Sequence, residues 1–577
     1  MSSNQPQSMD ITSLLAVVCE LRRTILPSRF EKAQQPDPWT LQLGFRTLEG
    51  LKWIEICWKA EISRLVQIDP PNKEGAQSTL AKQLQHILTH MALIEIKQSG
   101  FERIVELSLA KRPGAKTERC LIVEIMGRHS NILLLDQNKK VITIGRQIRT
   151  KQSRVRPIST GDIYAKPPSL QGYTPSSRET FEEWKEKLCT IPSNLKRSLL
   201  KTYQGISPSL AIQLVSDDIE EANNLLEISV SQINDKQWNL IFTNWKQWLN
   251  DFEKQNLSIN MEGPTAYRAW GCQKNIKTGS SIVLSRYYRV LINKQKINQQ
   301  EKELKKILSE SILSETSLLS QQKNLYLKSN DSDELTKRAN DIMATAFPTS
   351  QIILNAQKLY NKAKKLRRSK IALKQRIIYH QERINIINEF LTYLDNLTNK
   401  SIKDNLESKI VLLLELKEEI YIYLNLKNKK RKNNQKSQRI NPLTIRTPNG
   451  LSIQVGRNHR QNEHISFKQA RNKDLWFHAQ ESPGSHVVLK SSNGIPSDKD
   501  LEIAADIAAH FSKASGNSKV PIFMVAINKL KRIPHSQPGT VRFDESEIIW
   551  GNPSRGNDFL ESVTLFEGNN IAGSIDH

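Results

Sequence analysis

The sequence predicts a multidomain α+β protein: an N-terminal α/β domain, a helical middle and a C-terminal α/β module. Three observations carry this. At 577 residues the chain is too long for one hydrophobic core. Its net charge of +25 is uneven, +8 over residues 1–285, +16 over 286–439 and +1 over 440–577. Within the basic third, residues at heptad spacing form a seam, Ile377, Ile384 and Leu391 in one series and Leu373, Ile387 and Leu394 in the other, with His380 between Leu373 and Ile387.

In order, residues 1–175 alternate β-like runs with helices. Ile11–Leu26 has apolar residues at helical spacing behind Asp10, a residue suited to cap a helix N-terminus. Leu121–Leu135 reads as two strands broken by Gly127-Arg-His-Ser-Asn131, and Val141–Ile148 as another strand. Clusters of Pro and Gly at Gly161–Pro168 and Gly172–Ser177 close the block. Residues 176–285 read as helices of a smaller domain. There Gly205-Ile-Ser-Pro208 is compatible with a helix-hairpin-helix, whose turn amides can meet a phosphate; an ordinary interhelical turn is the commoner reading.

Residues 286–426 read as an antiparallel coiled-coil arm. A first helix runs from about Tyr287 to Leu327, a polar segment follows at Ser329–Glu334, and Pro348 breaks the chain before the seam helix. His380 falls on the seam and reads as a polar core residue rather than a ligand. From Lys358 to Arg383 there are ten basic residues and one acid, Glu382, with Lys364, Lys365, Arg367 and Arg368 at the centre. Residues 427–440 form a basic linker, and Lys427–Arg439 holds seven basic residues and no acid. A solvated helix face is the plain reading of such a run, but no compensating Glu makes i,i+4 pairs, which favours phosphate contact. An acidic membrane surface fits the charge equally well; against it stands the lack of any apolar run near eighteen residues.

Residues 441–577 read as a compact α/β module. Strands near Leu451–Val455, Leu475–His478, His486–Lys490 and Pro521–Ile527 surround one helix at about Asp498–Ala514, whose buried face carries Ile503, Ile507, Ala508 and Phe511. The tail after Gly551 is weakly patterned, and we expect it to be poorly ordered.

The chemistry is defined first by exclusion. There is no phosphate-cradling Gly-x-x-x-x-Gly-Lys-Ser/Thr loop, no His-Glu-x-x-His or paired Cys/His cluster for zinc, and no Gly-x-Ser-x-Gly nucleophile elbow. We therefore expect no catalytic residue, metal or cofactor. Cys19, Cys57, Cys120, Cys189 and Cys272 are odd in number and scattered, as in a reducing compartment. The short apolar stretch Ile11–Cys19 lacks a basic lead and runs into Glu20 and Arg22, so it does not read as a signal peptide. The cytoplasm is the expected location.

The densest chemistry lies in Asp474-Leu-Trp-Phe-His-Ala-Gln-Glu-Ser-Pro-Gly-Ser-His-Val-Val-Leu-Lys490. On a strand of period two, Trp476 and His478 share one face and Phe477 takes the other. Pro483-Gly484 allows a tight turn that brings His486 back to that face. Rings beside Arg471 and Lys473 suit stacking on unpaired RNA bases with phosphate neutralisation. The plainer alternative is a hairpin whose Trp is core and whose histidines satisfy backbone groups.

This run resembles the RNA-binding signature of the NFACT family, a group of ribosome quality-control factors. Glu124-Ile-Met-Gly-Arg-His-Ser-Asn-Ile132, Ser153-Arg-Val-Arg156 and Asn355-Ala-Gln357 with its basic sequel resemble the family's N-terminal and coiled-coil signatures, in family order. The resemblance implies an N-terminal tRNA-binding domain, a helix-hairpin-helix domain, a coiled-coil arm and a C-terminal RNA-binding domain. It implies binding to a large ribosomal subunit that holds peptidyl-tRNA, and recruitment of a charged tRNA that extends the stalled chain without mRNA. In bacterial members the added residue is alanine, so tRNA-Ala is the expected partner and the ribosome itself forms the bond. A monomer is expected. The tRNA site would comprise Asp10, Glu102, Arg103, Arg128, His129, Asn131 and Arg154. RNA contacts would come from Lys364, Lys365, Arg367, Arg368, Arg471, Lys473, Asp474, Trp476, His478, Pro483, Gly484, Ser485 and His486.

Glu102 departs from the family's usual aspartate, which displaces the carboxylate by about one C–C bond and changes the geometry in which it accepts hydrogen bonds. Without the resemblance, Glu102–Arg103 would be a surface ion pair of little worth and Asp10 an ordinary cap. The further C-terminal domain of eukaryotic members is not present after the RNA-binding module, and we expect the bacterial type. Two competing functions remain: a surface adhesin that binds fibronectin, after an older label of the family, and a generic single-stranded RNA-binding protein.

Overall fold

The computed structural model describes residues 7–73, 78–149, 156–168, 171–262, 266–271, 279–344, 347, 349–398, 405–426, 442–534 and 536–572. They form two compact units, Met1–Ile292 and Asn293–His577. Arg154 and the basic linker at 427–440 lie outside the described residues.

In the first unit, helix α1 (Ile11–Ile25) is buried over most of its surface, its apolar Ile11, Leu14, Leu15, Val17, Val18 and Leu21 together with the polar Thr12, Ser13 and Glu20. It packs against a nine-stranded antiparallel sheet. The strands are β1 (Ser28–Asp37), β2 (Thr40–Thr47), β3 (Gly50–Cys57), β4 (Arg64–Ile68), β5 (Ala92–Gln98), β6 (Ile104–Ala110), β7 (Arg119–Glu124), β8 (Asn131–Leu135) and β9 (Val141–Ile144). Their order is β4-β3-β2-β1-β5-β6-β7-β8-β9, with helix α2 (Thr79–Leu88) between β4 and β5 in the chain.

Five helices follow: α3 (Phe181–Cys189), α4 (Leu195–Thr202), α5 (Pro208–Val215), α6 (Ile219–Glu227) and α7 (Asp235–Glu253). They close on a second core dominated by Trp184, Trp238, Trp245 and Trp248, all fully buried. A short hairpin, β10 (Asn260–Glu262) and β11 (Ala266–Arg268), precedes helix α8 (Ser280–Ser329). Tyr287 and Tyr288 on its first turns join the α1 core.

The second unit holds the rest of α8, then α9 (Ser332–Met343), α10 (Ser350–Thr398) and α11 (Leu406–Tyr423). Ion pairs show that α8 and α10 run in opposite directions: Lys305 meets Asp395 at 2.9 Å, while Glu315, further along α8, meets His380 and Arg383, further back on α10, at 2.6 Å each. Ile387 and Leu394 of the predicted seam are fully buried with Leu304 and Leu308, whereas Ile377, Ile384 and Leu391 are half-buried. His380 is thus a polar residue on the packed face, with Glu315 as its partner.

The C-terminal sheet has strands β12 (Leu443–Arg446), β13 (Ser452–Val455), β14 (Leu475–Ala479), β15 (Val487–Leu489), β16 (Val520–Ala526) and, after the small hairpin β17 (Lys531–Arg532) and β18 (Val541–Arg542), β19 (Glu547–Gly551). Its order is β12-β13-β15-β14-β16-β19. Between β13 and β14 lies the short helix α12 (His459–Glu463). Helix α13 (Asp498–His510) covers one face through Ile503, Ile507 and Ala508, as its pattern predicts. The tail departs from expectation: after Gly551 the chain continues as α14 (Pro553–Ala572), which brings Phe559, Leu560 and Val563 onto the α13 core. A spacing of three and four between these residues suffices for a helix once a partner face is present.

Candidate nucleic-acid interface

Asp10 caps α1. Its Oδ1 accepts from the Ser13 amide at 2.9 Å and the Ser13 hydroxyl at 2.7 Å, and the Ser13 hydroxyl in turn accepts from the Asp10 amide. The cap does not exhaust the carboxylate. Oδ2 accepts from Ser207 at 2.6 Å and more weakly from Ser209 at 3.4 Å. Ser207 is itself the N-cap of α5, so one hydroxyl ties two helix starts together.

The turn carrying Ser207 is held by close approach. Gly205 has φ +77, and a Cβ there would lie 3.2 Å from Ile11 and from Phe101. The sequence left this turn open between a phosphate-meeting helix-hairpin-helix and an ordinary interhelical turn; in the fold it packs on α1 and on the β5–β6 turn. Phe101 in that second turn stacks on Phe252 at 4.8 Å and leans on Trp248. Next to it Arg103 directs Nη1 to the Met9 carbonyl at 3.4 Å. Burial pushes the Arg103 guanidinium below its ordinary value, while Asp10 and Glu102 work to hold the proton. The structure therefore gathers Asp10, Glu102 and Arg103 and adds Ser207 and Ser209, which sequence reasoning missed. Ser-Pro at a helix start is the signal that could have found Ser207.

The other N-terminal candidates fall in the β7–β8 turn. Arg128 and His129 are both exposed, with the Arg128 Nε 3.2 Å from the His129 ring. Asn131 is corrected: it is buried, its amide donates to the Arg146 carbonyl at 2.8 Å, and its Oδ1 accepts from Arg146 and Ile132. It shapes the turn and offers no surface to RNA.

In the second unit Lys364, Lys365, Arg367 and Arg368 are all exposed on α10, and among the described residues only Arg367 of these four has an ion-pair partner, Asp333 at 3.0 Å. The β14–β15 hairpin pairs Trp476 with Val488 and Phe477 with Val487. As predicted, Trp476 and His478 share a face, with parallel rings 5.5 Å apart, and His486 meets both edge-on. Access is the correction. Asp474, Trp476, Gly484, Ser485 and His486 are buried. Trp476 lies in a small core with Ile465, Val488, Val525 and Leu530, so no base can stack on it.

Asp474 is an anchor: its carboxylate accepts from the Arg471 and Ser492 amides and from Lys490, and these contacts overcome burial to hold it below its ordinary value. Burial drives both His478 and His486 below theirs, so the rings are neutral at pH 7. The left-handed residue of the loop is Glu481, at φ +51, rather than Gly484. Gly484 instead permits close contact with Ser512, where a Cβ would sit at 3.2 Å. Arg471 and Lys473 remain exposed, and Pro483 and His478 half-exposed.

Polar groups also join the helices to this module. Tyr393 donates to the Gly484 carbonyl at 3.3 Å and accepts from Asn462 at 2.9 Å. Glu419 accepts from the amides of His459 and Arg460, both at 3.2 Å. Burial raises Glu419 to about 7 and lowers His459 to about 4. Among the described residues, no group of three or more His, Cys, Asp or Glu is placed to hold a metal ion, and no helix is long and apolar enough to cross a membrane.

Comparison with known proteins agrees with this layout. The family model for NFACT N-terminal and middle domains matches residues 10–351, and that for the NFACT protein RNA binding domain matches 442–545. The protein named Rqc2 homolog RqcH of Streptococcus suis is 27% identical over 583 residues, covering 97% of this chain and 100% of that one. Its namesake in Bacillus subtilis is 26% identical over 498 residues, covering 80% and 82%. Among solved structures, the C-terminal part of the fibronectin/fibrinogen-binding protein from Streptococcus suis is 27% identical, covers 46% of this chain and 98% of that one, and has a TM-score of 0.38. With more than half of its length matched in a single stretch and a second match in the expected place, the chain belongs to the NFACT family.

Proposed function

We propose that this protein is a ribosome quality-control factor. It binds large ribosomal subunits that carry peptidyl-tRNA and recruits tRNA, of the alanine type, for mRNA-independent alanine tailing of the stalled chain. The observation that carries the reading is the end-to-end likeness to RqcH relatives, which runs through both family-matched regions. The chemistry is consistent with it: a partly buried arginine beside two carboxylates at the α1 cap suits a tRNA contact, and the exposed cations of α10 suit ribosomal phosphates. The α8–α10 pair serves as a coiled-coil arm in this reading. Peptide-bond formation belongs to the ribosome, the protein acts as a monomer in the cytoplasm, and no catalytic group is required of it.

Sucrose-gradient sedimentation after translational stalling tests the reading. The protein should travel with the large subunit, and its absence from that fraction would overturn the proposal. Arg103→Ala should abolish co-purification of tRNA while leaving subunit binding intact; full retention of tRNA would remove Arg103 from the site.

A further inference from the structure

The C-terminal sheet has an open strip that starts at His478 of the sequence signature and continues beyond it. In register, His478 of β14 lies beside Phe523 of β16, and Phe523 beside Ile548 of β19. One step along, Pro521 lies beside Trp550, and the Gln480 amide donates to the Pro521 carbonyl at 2.9 Å. The period of two puts His478, Phe523, Ile548, Pro521 and Trp550 on one face. Phe477, Ile522 and Ile549 take the other face, in or against the core under α13.

The strip is a continuation of the Trp476 face, but it lacks that residue's cover. Phe543 roofs Trp476 and reaches as far as Phe523, at ring separations of 5.7 and 5.2 Å. Beyond Phe523, Ile548 is 51% exposed and Trp550 59%. An edge-strand Trp left more than half in water, in line with an aromatic ring and an imidazole, is unusual for a surface with no partner. Lys519 is exposed at the same end, one residue before Val520, which pairs with Gly551. It makes no ion pair among the described residues. At the other end Asp544 and Glu545 are already matched by Lys531 and Lys529.

We propose that this strip, with Trp550 as its principal ring, is a stacking surface for unpaired RNA bases, with Lys519 neutralising an adjacent phosphate. The proposal rests on the reading of this module as RNA-binding and moves the base-stacking surface away from the buried Trp476. A sheet face with aromatic side chains on neighbouring strands suits single-stranded RNA, because every base offers a π-face. A peptide added as a further strand would instead use the outer edge of β19, only five residues long. The family match ends at residue 545, before β19 begins.

The test uses the full chain with a short single-stranded oligouridylate and a duplex of equal length. Trp550→Ala should weaken single-strand binding by roughly 5- to 150-fold, the span of base–aromatic stacking, and leave duplex binding nearly unchanged. Trp550→Phe should retain most of the affinity, and its thermal melt should match the wild type because the site is exposed. Oligouridylate should quench indole emission in the wild type, and that part of the quench should vanish in Trp550→Phe. Unchanged single-strand affinity in Trp550→Ala, equal losses in the Ala and Phe variants, or an equal loss for duplex would each overturn the proposal. Normal RNA binding with lost large-subunit binding would assign the strip to a protein contact, and so overturn it as well. Sedimentation of the wild type with large subunits is read separately, so either idea can fail while the other stands.

Discussion

Glu419 offers a quantitative test of how the helices are joined to the RNA-binding module. Its side chain is 6% exposed, lies on α11, and accepts from the amides of His459 and Arg460. Arg460 and the two amides favour the charged form, Glu415 disfavours it, and burial outweighs them, raising the carboxyl from its ordinary 4.5 to about 7. A raised folded value means that the folded state holds its proton where the unfolded state has lost it. Stability from this group is therefore full below pH 4.5 and falls as pH rises through 7. Integrated between pH 5 and pH 8, the penalty grows by about 2.5 kcal/mol. Glu419→Gln removes that titration. Relative to the wild type, the variant should gain about 2.5 kcal/mol in going from pH 5 to pH 8. The assay is urea unfolding at each pH, taking the difference between variant and wild type so that His459, which titrates in the opposite sense, cancels to first order. A difference that stays constant across this range would refute the claim that a buried carboxylate is protonated at the junction.

Two further predictions concern residues whose roles the fold reassigns. Ser207→Ala removes both the α5 cap and the 2.6 Å bond to Asp10, and should destabilise the first unit by about 2–3 kcal/mol in urea unfolding, with Ser207→Thr restoring most of it. A loss below a few tenths would show that Asp10 does not depend on the second helix. Trp476→Ala should cost about 3–5 kcal/mol as a core truncation, yet keep wild-type oligouridylate affinity wherever the variant stays folded. Selective loss of RNA binding with an unchanged melt would restore Trp476 to the binding surface.

What the sequence made legible depends on how local the physics is. The α1 cap at Asp10, the strands either side of Gly127–Asn131, the seam at Ile387 and Leu394, and the shared face of Trp476 and His478 all follow from spacing along one element. Each is fixed by a period or a cap that neighbours in the chain determine. Burial is different, because a face that a strand presents can be roofed by a segment far away. Trp476 points where its period says, but Ile465 and Phe543 from other parts of the module cover it. The same alternation leaves Trp550 open, since no described segment crosses that end of the sheet.

The α1 cap shows the same limit from the functional side. Asp10 and Arg103 are 93 residues apart and meet through a sheet turn, and Ser207 arrives from a helix nearly two hundred residues later. Nothing in the neighbourhood of Asp10 announces that its second oxygen is taken. An aspartate whose Oδ1 is committed to Ser13 and whose Oδ2 is committed to Ser207 is already held in place before any ligand arrives. Such a group contributes by setting the field around Arg103 more than by making a new bond of its own. Arg103, whose guanidinium is partly desolvated and has its only described hydrogen bond to Met9 at the long distance of 3.4 Å, keeps donors for an incoming acceptor. If the site binds an RNA phosphate or a ribose hydroxyl, the arginine is the contact, and the capped aspartate keeps its charge in register.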